Sequence, residues 1–389
     1  MERTLKEAVV VAYGRTGIAK AKKGGLRFTH PVDFAGQLLE GVLQKIPQLN
    51  PMEIDDVIVG CARPQEIQCS NIGRLIALRA GLNPCVPGYT LTRLCSSGLQ
   101  AIADAAHAIM VGEIDAAVAG GVEYLTAIFS GTPEQYQCIE LQGLAPGAYM
   151  PMGLTAEIVA RYYGVTREEM DRLAVLSHQR AAKAHAEGVF DREILPIWAK
   201  QEDGSRFCFQ TDEGIRPGTD LEKLSSLKPC FQEDGLVTAG TSSQLSDGAA
   251  MVVLMSLEKA RQLGLRPIAR FVGFAVAGVA PEVMGLGPIH AVPKVLSKAG
   301  LTMADMDVIE LNEAFMAQAI PCIRELGMDL EKVNPNGGAV ALGHPLGATG
   351  GILTCKLLNQ LERSGGTYGM VTMCVGGGMG AAGLFEMCR

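Results

Sequence analysis

The chain has 389 residues, room for roughly two to three domains, and its 48% hydrophobic content supports a large core. A net charge of -7 argues against a polyanionic partner such as nucleic acid, which needs a basic face to displace counterions. No apolar run approaches the ~18 residues of a membrane span, and eleven cysteines without CxxC pairs or clustered histidines fit neither a disulfide framework nor a metal site.

The N-terminal residues carry charges of both signs and lead straight into an apolar strand over 8–12, which predicts neither a signal peptide nor a membrane anchor. With so many unpaired cysteines, the expected compartment is the reducing cytoplasm. Further strand-length runs fall at 56–60, 116–119, 250–255, 308–311 and 368–373, separated by helical patterns, so the fold class is α/β. Residues 97–110 place Leu99, Ile102, Ala106 and Ile109 at helical spacing with little charge around them, which predicts a buried helix.

Residues 123–243 differ, with few strand signals and many polar, Gly and Pro positions. Within them Thr166-Arg167-Glu168-Glu169 reads as a capping box opening a helix to about residue 187, and 200–240 reads as loop. A weak repeat emerges when the chain is cut near residue 265. Asp56-Val57-Ile58 is followed by Cys95, 38 positions after Val57, and Asp307-Val308-Ile309 by His344, 36 positions after Val308. The expected layout is therefore a first half of 1–122 and 244–265, an inserted loop region of 123–243, and a second half of 266–389.

Three glycine-rich patches carry the reactive side chains. Cys95 sits at a strand-to-helix junction, where free N–H groups favour thiolate and so a nucleophile. His344, held between Gly343 and Pro345, is kept out of helical geometry and can act as a base or as an oxyanion donor. Cys374 precedes Gly376-Gly377-Gly378, so a second thiol able to move a proton lies beside backbone N–H groups suited to an oxyanion. Asn312, in Asn312-Glu313-Ala314-Phe315, offers an amide to hold a water or the histidine. The remaining cysteines read as small buried hydrophobes.

These stretches, together with Ala119-Gly120-Gly121-Val122-Glu123, Met152-Gly153-Leu154-Thr155 and Ser246-Asp247-Gly248-Ala249, resemble the thiolase family from Val9 to the C-terminus. The resemblance implies the thiolase fold: two similar βαβαβαββ halves in a five-layered α-β-α-β-α core, with a loop domain covering coenzyme A. It implies that Cys95 is acylated and that His344 activates it and, with a water on the Asn312 side, forms one oxyanion hole. It further implies that Cys374 is the acid/base and that the N–H groups of Cys95 and Gly376 form a second hole. Arg216, Ser243, Met152, Phe231, Ala314 and Phe315 match coenzyme A and tunnel contacts. Coenzyme A is then a substrate, and no cofactor is expected.

Thr92 stands where the family usually has asparagine, and Pro151 where acetoacetyl-specific members have histidine. Only 28 residues separate Glu123 from Met152. The last two features, with the segment 23–28, resemble degradative members. The expected activity is ping-pong thiolysis of 3-ketoacyl-CoA, as in fatty acid beta-oxidation, by a homodimer, with a tetramer as the other assembly. The alternatives are condensation of two acetyl-CoA to acetoacetyl-CoA, and a catalytically silent acyl-CoA-binding scaffold.

Overall fold

The computed structural model describes residues 5–127 and 137–389, so part of the loop region and the first four residues lie outside the described chain. The first half runs β1 (Ala8–Arg15), β2 (Ala19–Lys20), α1 (Pro31–Gln44), β3 (Asp56–Gly60), α2 (Ile72–Arg79), β4 (Tyr89–Leu91), α3 (Ser97–Met110) and β5 (Ala116–Tyr124). The predicted helix over 97–110 forms with those bounds, and its Ala-rich surface is buried along most of its length. Then come α4 (Ile139–Leu144), α5 (Met152–Tyr162), α6 (Arg167–Ala186), a small hairpin of β6 (Ile197–Lys200) and β7 (Arg206–Phe209), and α7 (Leu221–Ser225). The capping box is real: Thr166 accepts from the Glu169 N–H, and the Glu169 carboxylate accepts from the Thr166 N–H at 2.9 Å.

The chain returns to the sheet with β8 (Ser246–Ser256), followed by α8 (Leu257–Gln262), β9 (Ala269–Gly278), α9 (Gly287–Ala299), β10 (Val308–Leu311) and α10 (Met316–Glu325). It ends with α11 (Ala339–Leu342), α12 (Leu346–Ser364), β11 (Tyr368–Val375) and β12 (Met379–Met387). All six predicted strands form. β2, β4, β9 and β12 of the main sheet and the β6–β7 hairpin were not among them; β7 and α7 fall inside 200–240, which reads as loop, and β12 has Gly or Ala at four of nine positions and begins inside a glycine-rich stretch.

The main path of the sheet runs β10-β11-β12-β9-β1-β8-β5-β3-β4. It has two matching parts. In the first, β3 is parallel to β5, and β5–β8 and β8–β1 are antiparallel; in the second, β10 is parallel to β11, and β11–β12 and β12–β9 are antiparallel. The parts meet where β1 pairs with β9, Val9 opposite Arg270 and Val10 opposite Ala269. The repeat sensed at Val57 and Val308 is thus β3 matching β10, with α3 after Cys95 matching α12 after His344. One departure breaks the match: the counterpart of β4 in the second half shrinks to an isolated parallel bridge between Ile309 and Val333.

Three apolar clusters separate the layers. One lies where α1 and α2 cover the outer face of the first sheet half, one where α3 and α12 lie between the halves, and one under α9 and α10. The middle layer is closed by glycine. A Cβ on Gly98 would lie 2.8 Å from the Gly347 carbonyl oxygen, one on Gly121 2.1 Å from the same atom, and one on Gly350 2.4 Å from the Leu99 nitrogen. These glycines let the backbones of the two halves touch.

The cysteines also need correcting. Cys61, Cys322 and Cys355 are buried, but Cys69, Cys85, Cys138, Cys208 and Cys230 are exposed. Most of the exposed ones sit in turns and connections, where no apolar face draws the side chain inward.

Candidate active site

Cys95 lies in a single tight turn, Leu94–Ser96, immediately before α3. Leu94 adopts a left-handed φ of 46°, costly for a branched side chain. The turn is held by its own polar groups: Ser97 Oγ donates to the Leu94 carbonyl at 2.6 Å and accepts from the Arg93 N–H at 2.9 Å. Thr92 contributes as well, donating to the Ala62 carbonyl and accepting from the Leu94 N–H, both at 3.3 Å. The matching turn of the second half repeats the device. Gly343 has φ 120°, and a Cβ there would stand 2.4 Å from Ser246 Oγ, so His344 likewise follows a left-handed residue and precedes a helix.

The His344 ring is buried and held at both nitrogens. Nδ1 lies 2.6 Å from Thr349 Oγ1, whose own proton goes to the Pro345 carbonyl at 2.9 Å. A hydroxyl has one proton, so Thr349 accepts from Nδ1–H, and Nε2 is unprotonated and faces the Asn312 amide as an acceptor. Asn312 Nδ2 stands 3.4 Å from Nε2, while Asn312 Oδ1 is buried without a hydrogen-bond partner among the described residues. Burial pulls the histidine down to about 4, so the resting ring is a neutral base.

The thiols do not follow the expectation from the helix N-terminus. Cys95 keeps some exposure as a residue, yet burial of its sulfur pushes it up to about 11; the Gly376 N–H pulls the other way and the Glu123 charge adds to the rise. The expected resting thiolate is therefore wrong, because desolvation outweighs the N–H groups. Cys374, at the end of β11, is held well above the ordinary thiol range by burial and then by Cys95 beside it. At rest the site holds two neutral thiols and a neutral imidazole. Charge develops only when a proton moves.

Gly376 links the reactive groups to the apolar lining. Its N–H reaches Cys95, and a Cβ on it would meet Leu94 at 3.2 Å and the Met152 sulfur at 3.5 Å. Gly377 beside it, at φ 76°, faces open space. Next to Met152, Gly153 lies so close to the Phe231 ring that a Cβ would fall 2.0 Å from it, and Phe231 packs edge-on against Phe315 with ring centroids 5.8 Å apart. The Ser243 N–H donates to the Ala314 carbonyl at 3.0 Å. Met152, Phe231, Phe315, Ala314 and Ser243 thus form one linked group.

Arg216 lies apart from that group, exposed, with its N–H donating to His178 Nδ1 at 3.3 Å. Its loop is tied to the histidine side through Gln244, which donates to the Gly214 carbonyl at 3.3 Å and accepts from the His344 N–H at 3.1 Å. The sequence reading named His344 but missed its partner Thr349. The available signal was a hydroxyl one turn into the helix that begins after Pro345.

Comparison with known proteins gives the family. Residues 8–258 match the family described as thiolase, N-terminal domain, and residues 265–387 the thiolase, C-terminal domain. The chain is 50% identical to the 3-ketoacyl-CoA thiolase of Bacillus subtilis over 392 residues, covering 99% of this chain and 100% of that one. It is 45% identical to the 3-ketoacyl-CoA thiolase of Vibrio vulnificus over 387 residues, covering 98% and 100%. The crystal structure of the Bacillus anthracis acetyl-CoA acetyltransferase superposes with a TM-score of 0.93 at 40% identity, covering 100% of both chains.

Proposed function

The chain belongs to the thiolase family, and on that premise we propose that it cleaves 3-ketoacyl-CoA with coenzyme A, releasing acetyl-CoA and a shortened acyl-CoA. The observation that carries the reading is the neutral Cys95 thiol at the Gly376 N–H with the Cys374 thiol beside it; the buried His344 ring, unprotonated at Nε2, is the base the scheme needs.

In this scheme Cys95 passes its proton to His344 Nε2 as sulfur attacks the 3-keto carbon. The oxyanion on that carbon is bound by the N–H groups of Cys95 and Gly376, the latter already at the sulfur. Breaking the C2–C3 bond sends an electron pair into the acetyl-CoA enolate, whose oxygen faces His344 and Asn312, and Cys374 protonates C2. The Cys374 thiolate then takes the proton of incoming coenzyme A, whose sulfur attacks the acyl group. His344 returns its proton to Cys95 and closes a ping-pong cycle.

Met152, Phe231, Ala314 and Phe315 line the acyl and pantetheine path, Ser243 meets the pantetheine, and Arg216 the nucleotide end. Coenzyme A enters as substrate, and the loop region of 123–243 is its cover between the two halves of 1–122 with 244–265 and 266–389. A homodimer is supported by β4, which ends the sheet beside the nucleophile turn and offers an open edge for a second copy. All eleven cysteines are free, in keeping with a reducing, cytoplasmic setting.

The relatives named 3-ketoacyl-CoA thiolase favour the degradative direction for this chain, and the acetyl-CoA acetyltransferase likeness keeps condensation of two acetyl-CoA as the second reading. Thiolysis rates on 3-ketoacyl-CoA substrates of graded chain length decide between them: activity on longer chains is expected, and activity confined to the four-carbon substrate would overturn the preference. Acetyl-CoA should leave an acetyl group on Cys95, read by peptide mass, and not on Cys95→Ser. A protein that binds coenzyme A and forms no adduct would instead be a silent scaffold.

A further inference from the structure

Glu123, near the end of β5, is fully buried and has no part in the steps above. Its Oε2 accepts from the Ala62 N–H at 2.9 Å and the Gly347 N–H at 2.8 Å. Its Oε1 accepts from Gln68 Nε2 at 2.8 Å, with Cys61 Sγ at 3.9 Å, and the Arg63 N–H also reaches the carboxylate. An ionised carboxylate accepts only, which matches these N–H donors. Burial raises its pKa and the donors oppose that rise.

The two donors on Oε2 come from different halves. Ala62 follows β3, and its carbonyl holds Thr92 just before the nucleophile turn. Gly347 lies in the first turn of α12, three residues after His344, where a Cβ would fall 2.5 Å from the Ala62 nitrogen. The halves approach here backbone to backbone, a Cβ on Gly98 or Gly121 falling on the Gly347 carbonyl oxygen. Directional bonds to one carboxylate add register to that contact.

We propose that Glu123 is a positioning residue for acyl transfer, clamping the nucleophile turn of the first half to the histidine turn of the second so that Cys95 and His344 keep their reacting geometry. The proposal rests on the roles given to Cys95 and His344 above. A displacement of about 1 Å at such a site costs about 100-fold in rate. Glu123 also acts through space on Cys95, together with Arg63 of opposite sign and Cys374. The other titratable groups facing Glu123 are Cys61 and Asp247. Removing its charge should therefore make the thiol easier to ionise while making catalysis slower.

The test is Glu123→Gln, which keeps the size but turns an NH2 toward N–H donors. Wild-type protein is first shown to acquire acetyl on Cys95 from acetyl-CoA; absence of that adduct would sink the reading of Cys95, a separate failure. In the folded variant, acetylation and kcat should fall about 100-fold with KM for coenzyme A little changed. Alkylation of Cys95 by iodoacetamide should become faster at mildly alkaline pH, its midpoint moving down. A merely structural role would not give these opposite signs. Wild-type kcat, or acetylation and alkylation falling by the same factor, overturns the proposal. If the variant does not fold, Gln68→Met removes only one donor to Oε1: a smaller loss of kcat at constant KM supports the clamp, and unchanged kcat overturns it.

Discussion

Replacing Thr349 by valine isolates the hold on the catalytic ring. Valine keeps the branched shape but removes the oxygen that stands 2.6 Å from Nδ1. The Pro345 carbonyl loses the hydroxyl yet keeps the N–H groups of Ala348 and Thr349, at 2.9 and 3.0 Å, so the helix start survives. The cost falls on the buried imidazole. An Nδ1–H left without an acceptor is worth about 1–3 kcal/mol, and the ring escapes by moving its proton to Nε2, where the unpartnered Asn312 Oδ1 can accept it after the amide turns. Tautomer exchange lowers the population with an unprotonated Nε2 by about 5- to 150-fold, the same free energy written as a ratio. Steady-state thiolysis should show that loss in kcat with KM for coenzyme A nearly constant, and Thr349→Ser should restore the rate. A valine variant within about two-fold of wild type, or a serine variant as slow as the valine one, would refute the argument.

Burial makes two further predictions and the glycine seam a third. With Cys95 raised to about 11, its alkylation rate should keep climbing well beyond the pH at which an ordinary thiol saturates, whereas a plateau near neutral pH would mean a preformed thiolate. His344 titrates at about 4 in the fold against 6.5 when unfolded, so its contribution to stability is complete above pH 6.5 and is lost as pH falls toward 4. That loss amounts to about 3 kcal/mol. It is read from denaturant unfolding as the extra acid sensitivity of wild type over His344→Gln, a difference that cancels the opposing buried acids Glu310 and Asp247, which burial raises. Gly98→Ala puts a Cβ 2.8 Å from the Gly347 oxygen and 2.9 Å from the Gly351 nitrogen, both backbone. It should cost about 1–3 kcal/mol and lower the melting temperature, whereas a variant as stable as wild type would mean that the two halves can part there freely.

Much of the molecule was legible in one dimension because its signals are local. The strand at 308–311, the helix at 97–110 and the Thr166–Glu169 capping box depend on residues within a turn or two of each other, and all three form as read. The repeat was legible for the same reason, since each half writes a strand, a reactive turn and a buried helix in the same order. β12 was not, because Gly and Ala at four of its nine positions weaken the local signal, and pairing with β11 and β9 supplies what that signal lacks. The exposed cysteines misled for a related reason: a cysteine is buried by what surrounds it, which its own neighbours in sequence do not specify.

The sequence by itself determined the chemistry available: two cysteines, a histidine and an asparagine set in glycine-rich turns, in an α/β chain repeated once. Their ionisation was decided by the tertiary structure. Helix-terminal N–H groups are a local feature that lowers a thiol, but desolvation depends on every atom packed around it, and it wins at Cys95, Cys374 and His344 alike. The purpose of the glycines was divided in the same way. Gly376 borders the reactive groups, while Gly98, Gly121, Gly347 and Gly350 close the seam between halves, a distinction set by what lies within reach of a missing Cβ. Which hydroxyl holds the ring and which carboxylate joins the two turns likewise follows only from residues far apart in the chain being packed together.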